Sequence, residues 1–407
     1  MQRFTFPLIC LGRLLLMPLA PVPAQGQDVV VGINLPYLND LPADNANAKD
    51  AGNNTSAKDA KNPANAQASR ADREIATLKE LKAAGVQVIR TGLTPDQSGI
   101  DYAKRIHDAG LKLHWEFGLQ YAPNAKQRPW QPDKFPNVWA QYPLSQADPE
   151  RFRASFQPRL DQLEKLGIQL EAFELTAEIN MTPFNGDFPL PGKGRIFGLD
   201  DLAHDPEGQQ IAKGYLQYLK VLAVLKDIRD HSKLNQRTPI ISAGLGSYEF
   251  PEGPSPIPGK PGTQTDIVSI NATLEFLRAN GLDKLVDAYG VHVYPWDNSP
   301  GQLAAAEGRR TRLAKFDLTE CKPAGSPDGK PCWITEWGFK NKDQSCPPNE
   351  ANRIALIEEM RSNFRPYVQQ KKVQELLWYA WIDPAENFGV FRCGALTGAG
   401  RLALSPM

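Results

Sequence analysis

The stretch "PCWITEWGF" at residues 331–339 is almost wholly apolar and aromatic, as expected of a buried strand. One carboxylate, Glu336, stands near its end, where a buried charge is costly unless it is paired. The stretch therefore predicts a core strand that carries an ion-paired or functional glutamate.

Similar short runs of β-branched and aromatic residues recur along the chain and alternate with helical patterns. The other predicted strands are 29–37, 86–93, 111–119, 170–179, 239–246, 286–295 and 376–383. The predicted helices are 72–84, 98–109, 149–166, 209–231, 266–280, 300–315 and 350–370. Eight strands alternating with helices indicate a parallel sheet, and at 407 residues the expected closure is a single-domain (β/α)8 TIM barrel.

An open, doubly wound sheet is the alternative, but no GxGxxG motif follows the first strand. After the eighth strand only a short apolar tail remains, so we expect the last helix to be short or missing. A low-complexity insertion at 40–71, rich in Ala, Asn, Asp and Lys, follows the first strand and cannot bury a core.

The N-terminus has the features of a secretory signal. An apolar run at 6–20 is followed by small residues before a cleavage point after Ala24. We therefore expect a signal peptide at 1–24, a mature domain at 25–407, and a secreted or periplasmic location. This run is too short to anchor in a bilayer, and elsewhere no apolar run approaches the length of a membrane helix.

Composition argues against a polyanionic partner. The chain carries 46 basic and 46 acidic residues, and its lysines and arginines form no cluster. We expect no nucleic-acid partner and no cofactor, and a monomeric protein.

Four cysteines remain once the signal segment is removed, an even number that suggests two disulfides in an exported chain. Their long spacings, without a CxxC pair, argue against a metal site. In a barrel, Cys321 and Cys332 lie at the bottom, whereas Cys346 and Cys393 lie in loops at the top. The pairs Cys321–Cys332 and Cys346–Cys393 follow, because bridged Cα atoms lie within about 7 Å of each other.

Successive side chains of a strand point to opposite faces, and in most of the predicted strands the polar residues fall on one and the same face. In a barrel, that face lines the lumen. This set comprises Arg90, His114, Glu116, Glu174, Glu178, His292, Tyr294 and Glu336. Glu178 and Glu336 stand at the C-terminal ends of strands four and seven, where barrels of this type place active sites.

The motif order resembles that of the clan A retaining glycoside hydrolases. "AEIN" (177–180) is similar to the strand-four motif and "ITEWGF" (334–339) to the strand-seven motif. Arg90, His292 with Tyr294, and Trp378 or Trp381 match the clan's residues on strands two, six and eight. The resemblance implies Glu178 as acid/base and Glu336 as nucleophile of a β-glycosidase. Together with the alternation of side chains along the strands and the aromatic residues of the chain, it predicts a supporting or substrate-binding set of Arg90, His114, Glu116, Asn180, His292, Tyr294, Trp296, Trp337 and Trp381.

One position departs from the clan's pattern. Ala177 stands where the clan has an asparagine that reaches the sugar 2-hydroxyl. Asn180 or His114 is a candidate substitute for that amide. Alternatively Glu174 or Glu116, rather than Glu178, is the acid.

Aromatic residues favour a sugar ligand, because flat rings pack against the apolar faces of sugars. We expect Trp130, Trp139, Trp296, Trp337 and Trp381 at the site, and Trp115 and Trp333 in the core. Several platforms favour an oligosaccharide or polysaccharide. The alternatives are a non-catalytic carbohydrate-binding barrel, a transglycosylase, and a metal-dependent hydrolase built on His114, Glu116 and His292.

Overall fold

The computed structural model describes most of the chain, with gaps. The described residues are 29–35, 63–135, 138–247, 264–294, 303–341, 343, 345–383 and 387–407. The predicted signal peptide, residues 40–62 of the insertion, and Trp296 lie outside this range.

Eight parallel strands form the centre of the fold. They are β1 (Val30–Asn34), β2 (Val88–Thr91), β3 (Lys112–Phe117), β4 (Ala172–Leu175), β5 (Ile240–Ile241), β6 (Tyr289–Val293), β7 (Cys332–Trp337) and β8 (Val373–Tyr379). Their order in the sheet is β5-β4-β3-β2-β1-β8-β7-β6. Parallel bridges from Ile241 to Ala288 and from Leu245 to Val291 join the two edges. The expected (β/α)8 barrel is confirmed.

Helices surround the barrel in alternation with its strands. They are α1 (Pro63–Ala83), α2 (Gln97–Asp108), α3 (Pro149–Lys165), α4 (Leu199–His204), α5 (Pro206–Asp230), α6 (Ile270–Ala279), α7 (Leu303–Arg312), α8 (Ala351–Gln369) and α9 (Gly398–Ala403). The first helix begins nine residues before the predicted start at 72, and α4 was not predicted. The last helix is short, as expected, with six residues. Among the described helices, none has the length and apolar character needed to cross a bilayer.

Helix ends follow from local sequence. The carboxylate of Asp148 accepts bonds from the backbone N–H groups of Glu150 and Arg151, which caps the start of α3. Gly110 ends α2 with φ of +70°, a left-handed conformation that glycine adopts without a Cβ clash. These signals explain why the bounds of α2 and α3 lie within one residue of those predicted.

The core between strands and helices is aromatic on one side of the barrel. Trp115 on β3 is fully buried and stacks on Phe156 of α3 with ring centroids 4.8 Å apart. Phe117 packs against the same ring at 4.5 Å. Burial of one such side chain contributes on the order of 3 kcal/mol, so this layer fixes β3 firmly in the barrel wall.

Both predicted disulfides are present. Cys321 and Cys332 lie 5.3 Å apart at their Cα atoms, at the start of β7. Cys346 and Cys393 lie 5.8 Å apart and join the loop after β7 to the loop after β8. The second bridge therefore restrains the two loops that follow Glu336 and Tyr379.

Candidate active site

Glu336 lies at the C-terminal face of the barrel within a set of hydrogen-bond donors. Its Oε1 accepts bonds from Asn34 Nδ2 at 3.0 Å and Arg90 Nη1 at 2.9 Å. Its Oε2 accepts a bond from the Tyr294 hydroxyl at 2.5 Å. Three donors, one of them cationic, therefore fix the orientation of this carboxylate and offset the cost of its burial.

Glu178 follows β4 in an unusual backbone conformation. Its φ is +49°, and Thr176 two residues earlier has φ of +58°. Non-glycine residues in this region cost energy, and such residues cluster at functional sites. The Glu178 N–H donates to the Gly244 carbonyl at 2.6 Å, which fixes the turn against the neighbouring β5 segment.

Glycine is required beside Glu178 for steric reasons. A Cβ at Gly246 would stand 3.0 Å from Glu178 Oε1 and 2.7 Å from Met181 Sδ. A Cβ at Gly244 would stand 2.2 Å from His292 Nε2. Both side chains, Glu178 and His292, therefore occupy space that these two glycines leave open.

The structure brings the two glutamates together around His292. One oxygen each of Glu178 and Glu336, and a ring nitrogen of His292, all lie within 4.8 Å of one another. His292 Nδ1 is 2.8 Å from Glu178 Oε1 and 3.4 Å from Glu336 Oε2. Although burial alone would lower it, the negative charges of Glu336 and Glu178 raise the pKa of His292. The 2.8 Å contact thus makes His292 Nδ1 a hydrogen-bond partner of Glu178.

Arg90 joins this site to a deeper carboxylate. Its Nε and Nη2 donate to the two oxygens of Glu174 at 2.5 and 3.0 Å, while Nη1 reaches Glu336. Burial opposes ionisation of Glu174, but Arg90 and His114 hold its pKa well below its usual range. The charges of Glu116, Glu174 and Glu336 likewise outweigh burial and hold the pKa of Arg90 well above its usual value. The guanidinium is thus a fixed positive charge beneath Glu336.

His114 lies below this layer and does not reach the open face. It is fully buried, with Nε2 3.0 Å from Glu174 and Nδ1 3.5 Å from Glu375. The ring packs edge-on against Trp333 at 5.7 Å. His114 was predicted to bind or support the substrate, and its burial leaves only the supporting role, because the residue stands two positions before Glu116 along β3, one layer deeper in the lumen.

This buried histidine predicts a pH-dependent stability. Burial alone would lower it, but Glu174 and Glu375 raise the pKa of His114 to about 9. A raised pKa stabilises the fold fully below the unfolded value of about 6.5, and the stabilisation is lost as pH rises through 9. We expect the free energy of unfolding to fall by up to about 3 kcal/mol over that interval, measured by urea denaturation.

The matching variants are H114Q and H107Q. H114Q lacks the stabilisation that comes from protonated His114. Its free energy of unfolding should therefore change less between pH 6.5 and about pH 9 than that of the wild type. His107 is exposed on α2, and its replacement should leave the pH dependence unchanged. Equal slopes in the wild type and H114Q would contradict this account.

Glu116 does face the site, as predicted. Its Oε2 is 3.4 Å from Arg90 Nη1, and 28% of its side chain is exposed. Burial raises its pKa, and the neighbouring Glu174 and Glu336 add to the effect against the opposing charge of Arg90.

Asn180 was predicted to bind or support the substrate, but its side chain does not reach the open face of the barrel. The residue is fully buried, and its Nδ2 donates to the carbonyls of Gly246 and Val268 at 2.8 and 2.9 Å. It holds the loops after β4 and β5 together. It therefore does not replace the amide that is missing at Ala177.

Two of the predicted tryptophan platforms are also core residues. Trp337 is 1% exposed and packs edge-on against Phe364 of α8, outside the barrel. Strand alternation puts it opposite Glu336, on the helix side. Trp381 is 1% exposed and stacks on Phe391 at 5.0 Å. Neither ring is free to contact a ligand.

Two of the remaining tryptophans lie where they were predicted, and two stay predicted members of the site. Trp115 and Trp333 are core residues, with 0% and 8% exposure. Trp130 and Trp139, in the loop between β3 and α3, are 57% and 44% exposed.

Two residues of the site were missed. Asn34, at the end of β1, donates a hydrogen bond to Glu336. The one sequence signal for it was its place on the inward-facing side of its strand, the same side as Arg90 on β2. Tyr379, at the end of β8, packs edge-on against Tyr294 at 6.0 Å. Trp378 or Trp381 was expected to be the aromatic residue of strand eight that faces the site. Trp378 is instead fully buried and packs on Trp337 outside the barrel, and Tyr379 is the strand-eight ring that lies beside Tyr294.

The metal trio of His114, Glu116 and His292 does not form, because His114 is turned toward Glu174 and Glu375. Within the described part of the chain, the candidate ligand group is Glu178, His292 and Glu336. In this group, His292 Nδ1 and Glu178 Oε1 are hydrogen-bonded to each other at 2.8 Å.

Comparisons with known proteins gave structural similarity alone. No family model and no curated protein matches the chain. An exo-β-1,4-mannosidase from Opitutaceae bacterium strain TAV5 aligns over 93% of this chain and 58% of its own, with 14% identity and a TM-score of 0.48. The chain therefore spans less than two thirds of that protein.

Two further solved structures cover more of their own length. A GH5_18 protein from Bifidobacterium longum subsp. infantis aligns over 93% of this chain and 77% of its own, with 12% identity and a TM-score of 0.48. Pseudomonas stutzeri endoglucanase Cel5A aligns over 95% of both chains, with 12% identity and a TM-score of 0.46. Similarity at this level does not assign an activity to this chain.

Proposed function

We propose that the chain is a retaining β-glycoside hydrolase with Glu336 as nucleophile and Glu178 as acid/base. The observation that carries the proposal is the pair of glutamates at one barrel rim, with oxygens within 4.8 Å. Retaining enzymes hold their two carboxyls about 5–5.5 Å apart, whereas inverting enzymes need about 6.5–9.5 Å for a water. The short separation here favours double displacement.

In the first step, a Glu336 oxygen attacks the anomeric carbon of the sugar and forms an ester. The bond from that carbon to the leaving oxygen breaks, and the Glu178 proton passes to the leaving oxygen. The Arg90 and Asn34 donors hold the Glu336 carboxylate in place for attack. Burial and the negative charge of Glu336 raise the pKa of Tyr294 well above its usual value, so its hydroxyl stays protonated and remains a donor.

In the second step, Glu178 is a carboxylate and takes a proton from an incoming water. The water oxygen attacks the anomeric carbon, the ester bond breaks, and Glu336 returns to its ionised form. His292 holds Glu178 from the side through its 2.8 Å contact and is a positioning residue in this scheme. Two opposite displacements at one carbon retain the β configuration.

The loop between β3 and α3 supports an extended substrate. Arg128 ties this loop to the segment after Glu178, since its Nη2 donates to the Thr182 carbonyl at 2.5 Å. Trp139 packs on Phe184 of that segment at 5.1 Å and remains 44% exposed. This aromatic platform, Trp139 with Phe184, belongs to the segment that directly follows Glu178, the residue proposed to protonate the leaving group. We assign it to a sugar unit of the leaving group.

W139A is expected to lower kcat/KM for an oligosaccharide by roughly 5- to 30-fold, because a stacking face of about 1–2 kcal/mol is lost. Hydrolysis of an aryl glycoside, whose leaving group carries no sugar, should change much less. The measurement is kcat/KM for both substrates.

L234A is the matched control, because Leu234 is an apolar residue with 41% exposure in the segment between α5 and β5, at the N-terminal end of that strand and so at the opposite end of the barrel from the proposed site. An equal loss on both substrates in W139A would contradict the assignment to the leaving group.

We also propose that the chain acts after export. The two disulfides support this, because such bonds persist in oxidising compartments.

The proposed function is tested with purified protein on a panel of β-linked polysaccharides and aryl β-glycosides. Proton NMR of the first product detects its anomer. Initial release of the β anomer supports the proposal. Initial release of the α anomer, or no turnover on any member of the panel, contradicts it.

A further inference from the structure

The four carboxylates of the proposed site, Glu116, Glu174, Glu178 and Glu336, differ in how far their hydrogen-bonding capacity is used. Glu174 accepts bonds from Arg90, the Gly244 N–H and Thr335. Glu336 accepts three bonds, and Glu178 contacts His292. Among the described residues, Glu116 accepts no hydrogen bond. Its acceptor capacity is therefore unused in the free protein.

Glu116 lies beside the proposed nucleophile. It stands at the end of β3, where its Cα is in register with Glu174 of β4. Arg90 Nη1, 3.4 Å from Glu116 Oε2, is the same nitrogen that donates to Glu336 at 2.9 Å. The two carboxylates therefore flank one guanidinium nitrogen, at a distance that a single sugar ring can bridge.

Charge compensation of Arg90 does not account for Glu116. The guanidinium already uses Nε and Nη2 on Glu174 and Nη1 on Glu336, with hydrogen-bond distances of 2.5 to 3.0 Å. The 3.4 Å contact to Glu116 is the longest of its carboxylate contacts. A third carboxylate among two others adds repulsion, so its presence in a half-buried place requires another partner.

We propose that Glu116 binds a hydrogen-bond donor, a hydroxyl or an ammonium, on the substrate carbon next to the anomeric carbon. The proposal rests on the proposed function, since a sugar whose anomeric carbon meets Glu336 has its neighbouring carbon within reach of Glu116, which approaches the same Arg90 Nη1. Ala177 offers no side-chain donor or acceptor there, and Asn180 is committed to backbone carbonyls. Glu116 therefore selects substrates that carry a donor at this carbon and rejects those that carry a carboxylate or hydrogen.

The test uses matched aryl β-glycosides that differ at this carbon alone, with hydroxyl, hydrogen or ammonium. It compares kcat/KM in the wild type, E116A, E116Q and E150Q. Intrinsic reactivity differs among these substrates but is identical for each protein, so it cancels when selectivity ratios are compared. Glu150 is an exposed carboxylate on α3 and controls for loss of charge.

In E116A the selectivity for hydroxyl over hydrogen is expected to fall by roughly 10- to 100-fold relative to the wild type. E116Q, which keeps an acceptor but not the charge, should retain part of the hydroxyl selectivity and lose more of the ammonium selectivity. E150Q should match the wild type.

An unchanged ratio in E116A overturns the inference, even if both substrates react more slowly, because that pattern indicates a general electrostatic role. If the wild type hydrolyses none of the glycosides, the proposed function fails and this inference fails with it. Thermal melting of E116A and E116Q confirms that each variant is folded before its ratio is used.

Discussion

Replacing Glu336 with alanine is expected to lower kcat by about 10⁴- to 10⁶-fold, because no other carboxylate can form the ester at the anomeric carbon. The side chain is 14% exposed and binds three donors, so its removal also leaves Arg90 and Asn34 without a shared acceptor. The measurement is the hydrolysis rate of the best substrate from the glycan panel, with the folded state checked by thermal melting.

Azide separates loss of the nucleophile from general damage in this variant. In E336A a small anion can enter the vacated space and attack the anomeric carbon directly, giving the α-glycosyl azide by one inversion. E150Q again serves as the control for a lost carboxylate. Wild-type rates in E336A would contradict the assignment and favour a binding protein or a different nucleophile.

Replacing Glu178 with alanine is expected to slow hydrolysis of a natural glycan by about 10²- to 10⁴-fold, the usual contribution of a positioned acid/base. The loss should depend on the leaving group. A dinitrophenyl glycoside needs little proton assistance, so its first step should remain fast and only the second step should be slow. The measurement is a burst of dinitrophenol followed by slow turnover.

Azide gives the opposite stereochemistry in this variant. In E178A it attacks the glycosyl ester on Glu336, and the product is the β-glycosyl azide, formed at an increased rate. An equal loss for good and poor leaving groups would contradict the acid/base role. In that case E174Q and E116Q, with the same pair of substrates, identify the acid.

The barrel was predictable because each strand and helix is specified locally. Runs such as 111–119 and 332–337 alternate with amphipathic stretches that have caps, for example Asp148 before α3. The lumen side was predictable for the same reason. A strand has a period of two residues, so the parity of Arg90 and Glu174 identified the face that points inward.

The alternation of side chains along a strand predicts which residues face the lumen, but not how deep in the lumen each of them lies. His114 and Glu116 share a face of β3, yet the structure buries the first and partly exposes the second. Which of two same-facing residues reaches the rim depends on the stagger of strands around the barrel, which one strand's sequence does not reveal.

The backbone after β4 was likewise hidden in the sequence. Glu178 reaches the site because Thr176 and Glu178 adopt positive φ and Gly244 and Gly246 leave room beside it. We predicted an extended strand up to residue 179, because the alternation of side chains continues in the sequence through this segment. In the structure β4 ends at Leu175. The correct side chain was identified through the resemblance, not through strand geometry.

The central claim is that Glu336 forms a covalent bond to the sugar, and mass spectrometry of E178A tests it most directly. Mixed with a dinitrophenyl β-glycoside of the preferred sugar, this variant should accumulate a glycosyl-enzyme. The account predicts an intact mass increased by one glycosyl unit, with the added mass on the peptide that contains Glu336. Absence of any adduct during the burst, or an adduct on Glu116 or Glu174, would contradict it.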